Sequence, residues 1–442
     1  MLHRSVGALA PSRPQRPTVA VVGAGIAGLG CARALAREFH VEVFEALPRA
    51  GGHANTVDVP TASGPLPIDT GFIVYNERNY PRLTRLFGEL GVKTTETCMS
   101  FSSACEACRF ELGSNRLSSL FPSVGAWLEP SRWRLLAGLM RFFRVAKADL
   151  AAGTDLSAVT IGEYLREHHI SELAARHFVL PMGAAVWSMS AERMLDFPAE
   201  SFLRFFDNHG MLGVREAPQW RTVVGGSRNY VAKLIESSGF SMHLSAPIAR
   251  ILRRSDGVHL ETAAGEKHLF DSVVLATHAP TTLRMLGDAT EEERAILGSV
   301  GVTRNEAYLH SDSSRMPRAR AAWASWNHRV ESCTNAGAEV EVTYWMTRLQ
   351  PLPSRPDYFV TLNPTSEIAE SSLIQQITYA HPRFDLPALK AQKRLPEIQG
   401  TRRTWFCGAW TSFGFHEDGL RSGELVAEQV RESLRAGVEV AA

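Results

Sequence analysis

An α/β fold, in which a mostly parallel sheet is assembled from separated pieces of chain and interleaved with an α+β domain, is predicted by three observations. A buried strand runs into closely spaced glycines and a helix, a second strand ends in a carboxylate, and apolar strands of the same kind recur far downstream.

The first strand is Thr18-Val19-Ala20-Val21-Val22, a β-branched and apolar run that reads as buried on both faces. Gly23-Ala24-Gly25-Ile26-Ala27-Gly28 follows at once, and Leu29 to Phe39 continues with helix formers at apolar spacing, so the glycines sit at a strand-to-helix turn. A dinucleotide pyrophosphate belongs at such a turn. Gly23 permits the tight bend, Gly25 lets backbone N–H groups approach the phosphates, and Gly28 lets helix and strand pack closely, while the helix N-terminus adds partial positive charge. Val41-Glu42-Val43-Phe44 is the second strand, and Glu45 at its end is placed to accept from both ribose hydroxyls of an adenine nucleotide. A lone G-x-G-x-x-G is weak; the Rossmann-like order of strand, turn, helix, strand and acid carries the reading.

The continuation is Arg49-Ala50-Gly51-Gly52-His53, then Pro67-Ile68-Asp69-Thr70-Gly71-Phe72. This resembles the amine-oxidase superfamily of flavoproteins, in which Glu-x5-Gly-Gly-Arg wraps the ribityl pyrophosphate and a later Asp-x-Gly segment passes under the isoalloxazine. The resemblance implies FAD, held through Gly23, Gly25, Ile26, Ala27, Gly28, Glu45, Ala46, Gly52, His53, Thr70, Gly71 and Phe72, and further on through Ile248, Gly408, Ala409, Gly419 and Leu420. His53 departs from the pattern, standing where the superfamily keeps arginine.

Downstream, Val223-Val224-Gly225-Gly226-Ser227 leads into a helix-like Tyr230 to Ser237, Ala246-Pro247-Ile248 opens a hairpin that turns at Gly257, and Asp271 to Thr277 is another buried strand. Thr404 to Trp410 and Gly414 to Gly423 resemble the terminal strand and helix whose N-terminus points at the flavin. The expected FAD domain is therefore 17–74, 221–299 and 396–436, the substrate domain 75–220 and 300–395, with 1–16 a flexible leader. Aromatics are dense in the second domain, Phe202, Phe205, Phe206 and Trp323 among them, and either line an apolar cavity or fill a core.

At 442 residues the chain is long for one core, and its net charge of +1 gives no basic surplus that would point to nucleic acid. Among six cysteines, Cys105-x-x-Cys108 is half of a zinc pattern, but no second C-x-x-C or H-x3-H recurs, so a cysteine-bearing hairpin and no metal are expected. Reduced thiols, the lack of a signal h-region and the lack of a membrane-length apolar run fit a cytoplasmic protein. From Ser131 to Lys147, Arg132, Arg134, Arg141, Arg144 and Lys147 fall on one side of a helical wheel and Leu135, Leu136, Leu139, Phe142 and Phe143 on the other. With Trp127 and Trp133 near its start, this is the pattern of an interfacial helix on an anionic membrane, or of a surface helix docking its stripe on the second domain.

Trp323 to His328, Val342 to Met346, Val360 to Pro364, Tyr379 to Pro382 and Trp405 through Gly423 resemble a bacterial family of predicted NAD/FAD-binding proteins within the same superfamily. That family is associated with cyclopropane synthases, methyl-branching methyltransferases and furan fatty acid formation. The resemblance implies an unsaturated or methyl-branched acyl chain as substrate and a lipid-modifying methyltransferase or cyclopropane synthase as partner. Amine oxidases keep a lysine that holds a water against flavin N5, yet no lysine lies between Lys267 and Lys390, and Phe415 stands where the amine cage has tyrosine. Trp326, Tyr344 and Phe415 would then form an apolar wall suited to hydrocarbon. His416 and Glu417 are the nearest catalytic candidates by motif, as acceptors of the proton that accompanies hydride removal, Glu417 alternatively serving as a helix cap. The expected activity is FAD-dependent desaturation or oxidation of a lipid acyl chain with O2 as acceptor. A double-bond isomerase, a carotenoid-type desaturase and a non-enzymatic lipid or partner carrier on the same fold are its rivals.

Overall fold

The computed structural model describes residues 16–114, 117–187, 189–213, 218–335, 337, 340–353 and 356–441; residues 1–15 of the expected leader lie outside them. Five strands form the parallel sheet, in the order Ser241–His243, His40–Phe44, Thr18–Val22, Ser272–Leu275 and Thr404–Phe406. Thr18–Val22 takes the centre because it is apolar on both faces. Val19 and Val21 enter one core with Leu29, Val43, Tyr230 and Leu420, while Ala20 and Val22 enter the opposite core with Phe44, Ile248, Val258 and Phe406. Helices Ile26–Leu35, Arg228–Glu236 and His416–Ala441 cover the first face. The antiparallel meander of Ile248–Arg254, Gly257–Thr262 and Lys267–Phe270 packs on the second.

Two of these helices nearly touch backbones. A Cβ on Gly423 would lie 2.1 Å from Ala27 O, and one on Gly30 would lie 2.6 Å from Leu420 Cδ1. Only glycine permits that approach, which brings the first turn of His416–Ala441 beside the first turn of Ile26–Leu35.

The second domain is built on a seven-stranded sheet in the order Leu373–Pro382, Val302–His310, Phe359–Leu362, Glu341–Trp345, Trp326–Val330, Phe101–Cys105 and Glu111–Gly113. All its pairings are antiparallel except that of Trp326–Val330 with Phe101–Cys105. A helical cluster running from Pro130–Ala152 to Ala199–Asn208 packs on it around Phe142, Tyr164, Trp187, Phe202 and Phe206. Phe202 and Phe206 are thus core rather than cavity, and Trp220 belongs to the core of the parallel sheet.

Packing shows where three helices bury their apolar faces. Helix Pro81–Glu89 sends Leu83, Leu86 and Phe87 into the core of the parallel sheet, and Leu386–Arg394 sends Ala388 and Ala391 into that sheet's other face. Amphipathic spacing shows that a face is buried but not against what. In Pro130–Ala152, Leu135, Leu139 and Phe142 dock on the second domain, and Arg132 is buried, donating to Glu111 O and Leu120 O and lying 4.4 Å over the Phe110 ring. The apolar stripe is therefore a docking stripe, and Arg132 does not belong to a solvent-facing basic set. Among the described residues no helix is long and apolar enough to cross a membrane.

Candidate active site

The glycine turn is built as the sequence requires. Gly23 adopts φ +105° and donates to Phe44 O at 2.8 Å; a Cβ on Gly28 would lie 1.9 Å from Gly23 O, whereas one on Gly25 meets nothing within 4 Å. Gly28 is demanded by packing and Gly25 by the open space above it, which is the room a pyrophosphate needs. No side chain caps Ile26–Leu35 at Gly25, so the N–H groups of Ile26, Ala27 and Gly28 are available to that space. A second glycine loop closes against the first. Gly51 and Gly52 have φ +110° and +58°, Gly51 donates to Ala24 O at 2.8 Å, and a Cβ on Gly52 would lie 3.2 Å from Gly25 Cα. Glu45, partly exposed at the end of His40–Phe44, accepts from Ala24 N–H at 2.8 Å and Leu47 N–H at 3.0 Å, which fixes its carboxylate beside the turn; Ala46 next to it is exposed. Ile248 is buried in the core that holds Phe44.

His53 follows Gly52 and is the one orphan of the cradle. Its Nε2 is buried without a partner, its ring stacks on Tyr379 at 5.1 Å, and His381 lies at the same distance. Burial, reinforced by His381 and His278, holds the imidazole well below its ordinary pKa and so neutral. A single unsatisfied nitrogen offers one hydrogen bond where arginine would bring fixed charge. Thr70 contacts the Tyr379 hydroxyl at 2.7 Å and donates to Asn55 O at 3.1 Å, while Phe72 N–H donates to His53 O at 2.7 Å. A Cβ on Gly71 would lie 2.3 Å from that same His53 O, so the segment fits only as glycine.

Asp69, which sequence reasoning quoted only as part of a motif, is the hub behind this segment. It is 1% exposed and accepts from Thr56 Oγ1, Ser227 N and Oγ, and Gln350 Nε2 at 2.6 to 3.0 Å, tying the hairpin Thr56–Asp69, the Gly225-Gly226 turn and the second domain together. Burial raises its pKa to about 6 against the pull of those donors.

At the other end of the site, Gly408 at φ +151° donates to Ser422 Oγ at 2.9 Å, Ala409 is partly exposed, and a Cβ on Gly419 would lie 2.9 Å from Ile26 Cγ2. The Leu420 side chain is 1% exposed in the core, so its use toward a ligand is confined to backbone. Asp418 accepts from Phe415 N–H at 3.1 Å and caps the start of His416–Ala441. His416 stacks on Phe72 at 3.8 Å with 10° between planes, and its Nε2 lies 2.6 Å from the Tyr230 hydroxyl. Burial pushes this imidazole down to about 3. The stack and the hydrogen bond hold the His416 ring against Phe72 and Tyr230. The two oxygens of Glu417 accept from Arg82 N–H and Leu83 N–H, each at 3.0 Å, so it caps helix Pro81–Glu89 rather than its own helix. Tyr230 was not foreseen, because its partner is 186 residues away.

Trp326 and Tyr344 stand directly opposite each other on adjacent strands, with rings 5.1 Å apart edge to face, and Phe415 stacks on Phe205 at 4.9 Å beside His209. All three border the aromatic core of the second domain. None of the seven strands of the second sheet contains a lysine.

Residues 26–344 match the model of the family described as flavin containing amine oxidoreductase. Among curated proteins, "Putative flavin-containing monoamine oxidase AofH" of Mycobacterium tuberculosis is 26% identical over 268 residues, 57% of this chain and 55% of that one. The chain thus spans about half the length of the curated relatives it matches. Solved structures that share the fold include a CLA-producing fatty acid isomerase from P. acnes, at 16% identity and TM-score 0.66 over 95% of this chain and 99% of that one. A wild-type putrescine oxidase bound to putrescine aligns at 16% identity and TM-score 0.67 over the same shares. The open space over Gly25 and the unsatisfied His53 nitrogen fit a dinucleotide, and the match over most of the chain says which. The chain belongs to the flavin-containing amine oxidoreductase family, whose members are FAD-dependent oxidoreductases, and FAD is its cofactor.

Proposed function

We propose that the chain acts on the acyl chain of a membrane phospholipid, desaturating or oxidising an unsaturated or methyl-branched chain with O2 as electron acceptor. What supports this reading most is that Trp326 and Tyr344, on a sheet without lysine, and Phe415, at the start of His416–Ala441, all present aromatic rings beside the apolar core of the second domain. The relatives' names speak of monoamines and putrescine, but the chemistry an amine needs at the flavin is missing from this wall. Bound FAD supplies a hydride acceptor. The protein's part is to exclude water with the aromatic wall, to hold Phe72 through His416 and Tyr230, and to present the N-terminal N–H groups of His416–Ala441 to the charge that reaches the ring. In desaturation a hydride leaves one carbon and a proton leaves its neighbour to water, while O2 takes up two electrons and two protons as H2O2.

A specific observation favours a second reading, double-bond isomerisation. One nitrogen of His416 and both oxygens of Glu417 already carry hydrogen bonds, and a hydride removed from one carbon and returned to another requires no base. The fatty acid isomerase that shares the fold is in accord with it. Docking on an anionic bilayer belongs to either reading. The exposed face of Pro130–Ala152 presents Trp133, Met140, Arg134, Arg141 and Arg144, near Val124 and Leu128, which are 89% and 84% exposed.

The test is anaerobic mixing of the holoenzyme with vesicles of unsaturated or methyl-branched phospholipid. Bleaching of the flavin band, its return in air and a product lighter by two hydrogens support desaturation. A product of unchanged mass with a shifted double bond, without oxygen uptake, supports the isomerase. Peroxide from simple amines would overturn both, and unaltered flavin and lipid across the panel would leave the carrier reading.

A further inference from the structure

The expectation of no metal rested on the lack of a second cysteine pair in the sequence, and the fold supplies a third thiol from elsewhere. Cys105 and Cys108 lie in the turn between strands Phe101–Cys105 and Glu111–Gly113, as the hairpin reading required. The parallel pairing of Phe101–Cys105 with Trp326–Val330 continues past the strands, through Glu106 N–H to Val330 O at 3.1 Å and Ala107 N–H to Glu331 O at 2.9 Å. That extension delivers Cys333 to the same spot. The sulfurs of Cys105, Cys108 and Cys333 all lie within 4.8 Å of one another, and those of Cys108 and Cys333 are 3.8 Å apart.

We propose that Cys105, Cys108 and Cys333 form a zinc(II) site, with three thiolate ligands and a fourth position open to water or another small donor. Four sulfurs at the usual Zn–S length of about 2.3 Å on a tetrahedron are separated by about 3.8 Å. The Cys108–Cys333 spacing already matches that edge. A disulfide would need those two sulfurs to close to about 2.05 Å and would leave Cys105 without a role. Cys333 N–H donates to Cys105 Sγ at 3.2 Å, the contact a thiolate sulfur accepts. The recess beside Cys105 is lined by Arg109, Arg318 and Arg329 together with Glu106 and Glu111, Arg329 being paired with Glu106, so its fixed charge is weakly positive. The site is remote in function from the flavin. It pins the far end of the Trp326–Val330 strand, whose near end carries the Trp326 of the aromatic wall, against a hairpin 225 residues earlier in the chain.

The experiment measures zinc by mass spectrometry in untagged, flavin-loaded protein after zinc addition and desalting under reducing conditions. Cys333→Ser and Cys108→Ser, at partly exposed and exposed positions, are compared with the wild type. The expected result is about one zinc per chain in the wild type and a fall of at least tenfold in each variant, with the flavin spectrum unchanged. Cobalt(II) substituted for zinc should give the red ligand-field bands of tetrahedral thiolate coordination, outside flavin absorption. No stoichiometric zinc in the reduced wild type, equal zinc in wild type and both variants, or a Cys108–Cys333 disulfide that persists through reduction would each overturn the proposal.

Discussion

Glu45 illustrates how one carboxylate serves both fold and ligand. Its oxygens already hold the N–H groups of Ala24 and Leu47, so removing it loosens the glycine turn as well as the expected ribose contact. Glu45→Ala should lose roughly 1.5–3 kcal/mol of charge-assisted hydrogen bonding, or about one to two decades in FAD affinity, read by titration of apoprotein with FAD. Unchanged affinity would remove Glu45 from the site. Glu417 predicts the opposite profile. As the cap of Pro81–Glu89, its replacement in Glu417→Ala should cost about 0.5–2 kcal/mol in urea unfolding while leaving the rate of flavin reduction by substrate nearly unaltered. A large rate loss at unchanged stability would return Glu417 to catalysis. Residues with a local geometric duty were legible in the sequence: Gly23, Gly28 and Glu45 each answer to neighbours within one βαβ unit. Tyr230, the bonds of Asp69 to Ser227 and Gln350, and the capping role of Glu417 were not, because those partners lie 158 to 335 residues away and no spacing rule encodes such a meeting.

The crossing of Ile26–Leu35 with His416–Ala441 is the element on which the site's two ends depend. Gly423→Val would drive a side chain into the Ala27 carbonyl, and overpacking of this kind costs typically about 1–3 kcal/mol. With the displaced turn as the proposed pyrophosphate cradle, flavin content should fall together with thermal stability; full flavin retention in a destabilised variant would show that the crossing carries stability only. Helix Pro130–Ala152 shows where helical-wheel reasoning stops. The wheel found the apolar face, which the core of the second domain takes, but put the buried Arg132 on the basic one. Any contact with a bilayer must use the exposed residues, and each basic group near an anionic surface is worth up to about 1 kcal/mol. Arg141→Glu combined with Arg144→Glu should therefore reduce co-sedimentation with anionic vesicles, the more so at low salt. Binding indifferent to both would reduce the helix to its packing role.

For the whole molecule, the buried histidines set the response to acid. His177, His209, His310 and His381 are pushed down to about 4 and His328 and His416 to about 3, in each case first by burial. The unfolded chain protonates these six groups near 6.5 and the fold does not, so stability is present above that value and is lost as pH falls toward the folded pKa values. Asp69 works in the other sense: raised to about 6, it favours the fold below about 3.8 and loses that contribution as pH rises through 6. With His53 and His278 also lowered and Glu417 and Asp418 also raised, eight histidines stand against three acids and decide the sign. Urea midpoints should fall steeply from about pH 7 to about pH 5, by up to about 1.4 kcal/mol per pH unit for each fully titrating histidine. A flat profile would mean that water reaches these rings. Composition counted the histidines but could not say which were enclosed.

The parallel sheet is closed at one edge by Thr404–Phe406, and the glycine-mediated crossing needs residues up to Gly423. During synthesis the Gly23–Gly28 turn therefore leaves the ribosome about four hundred residues before the helix that braces it, which is tens of seconds at about 5–20 residues per second. The early turn must wait beside unpaired strand edges until the bracing helix has been made, and cofactor loading waits with it. Supply of free FAD and of chaperone during that interval, rather than the affinity of the finished site, would then govern how much of the protein emerges yellow.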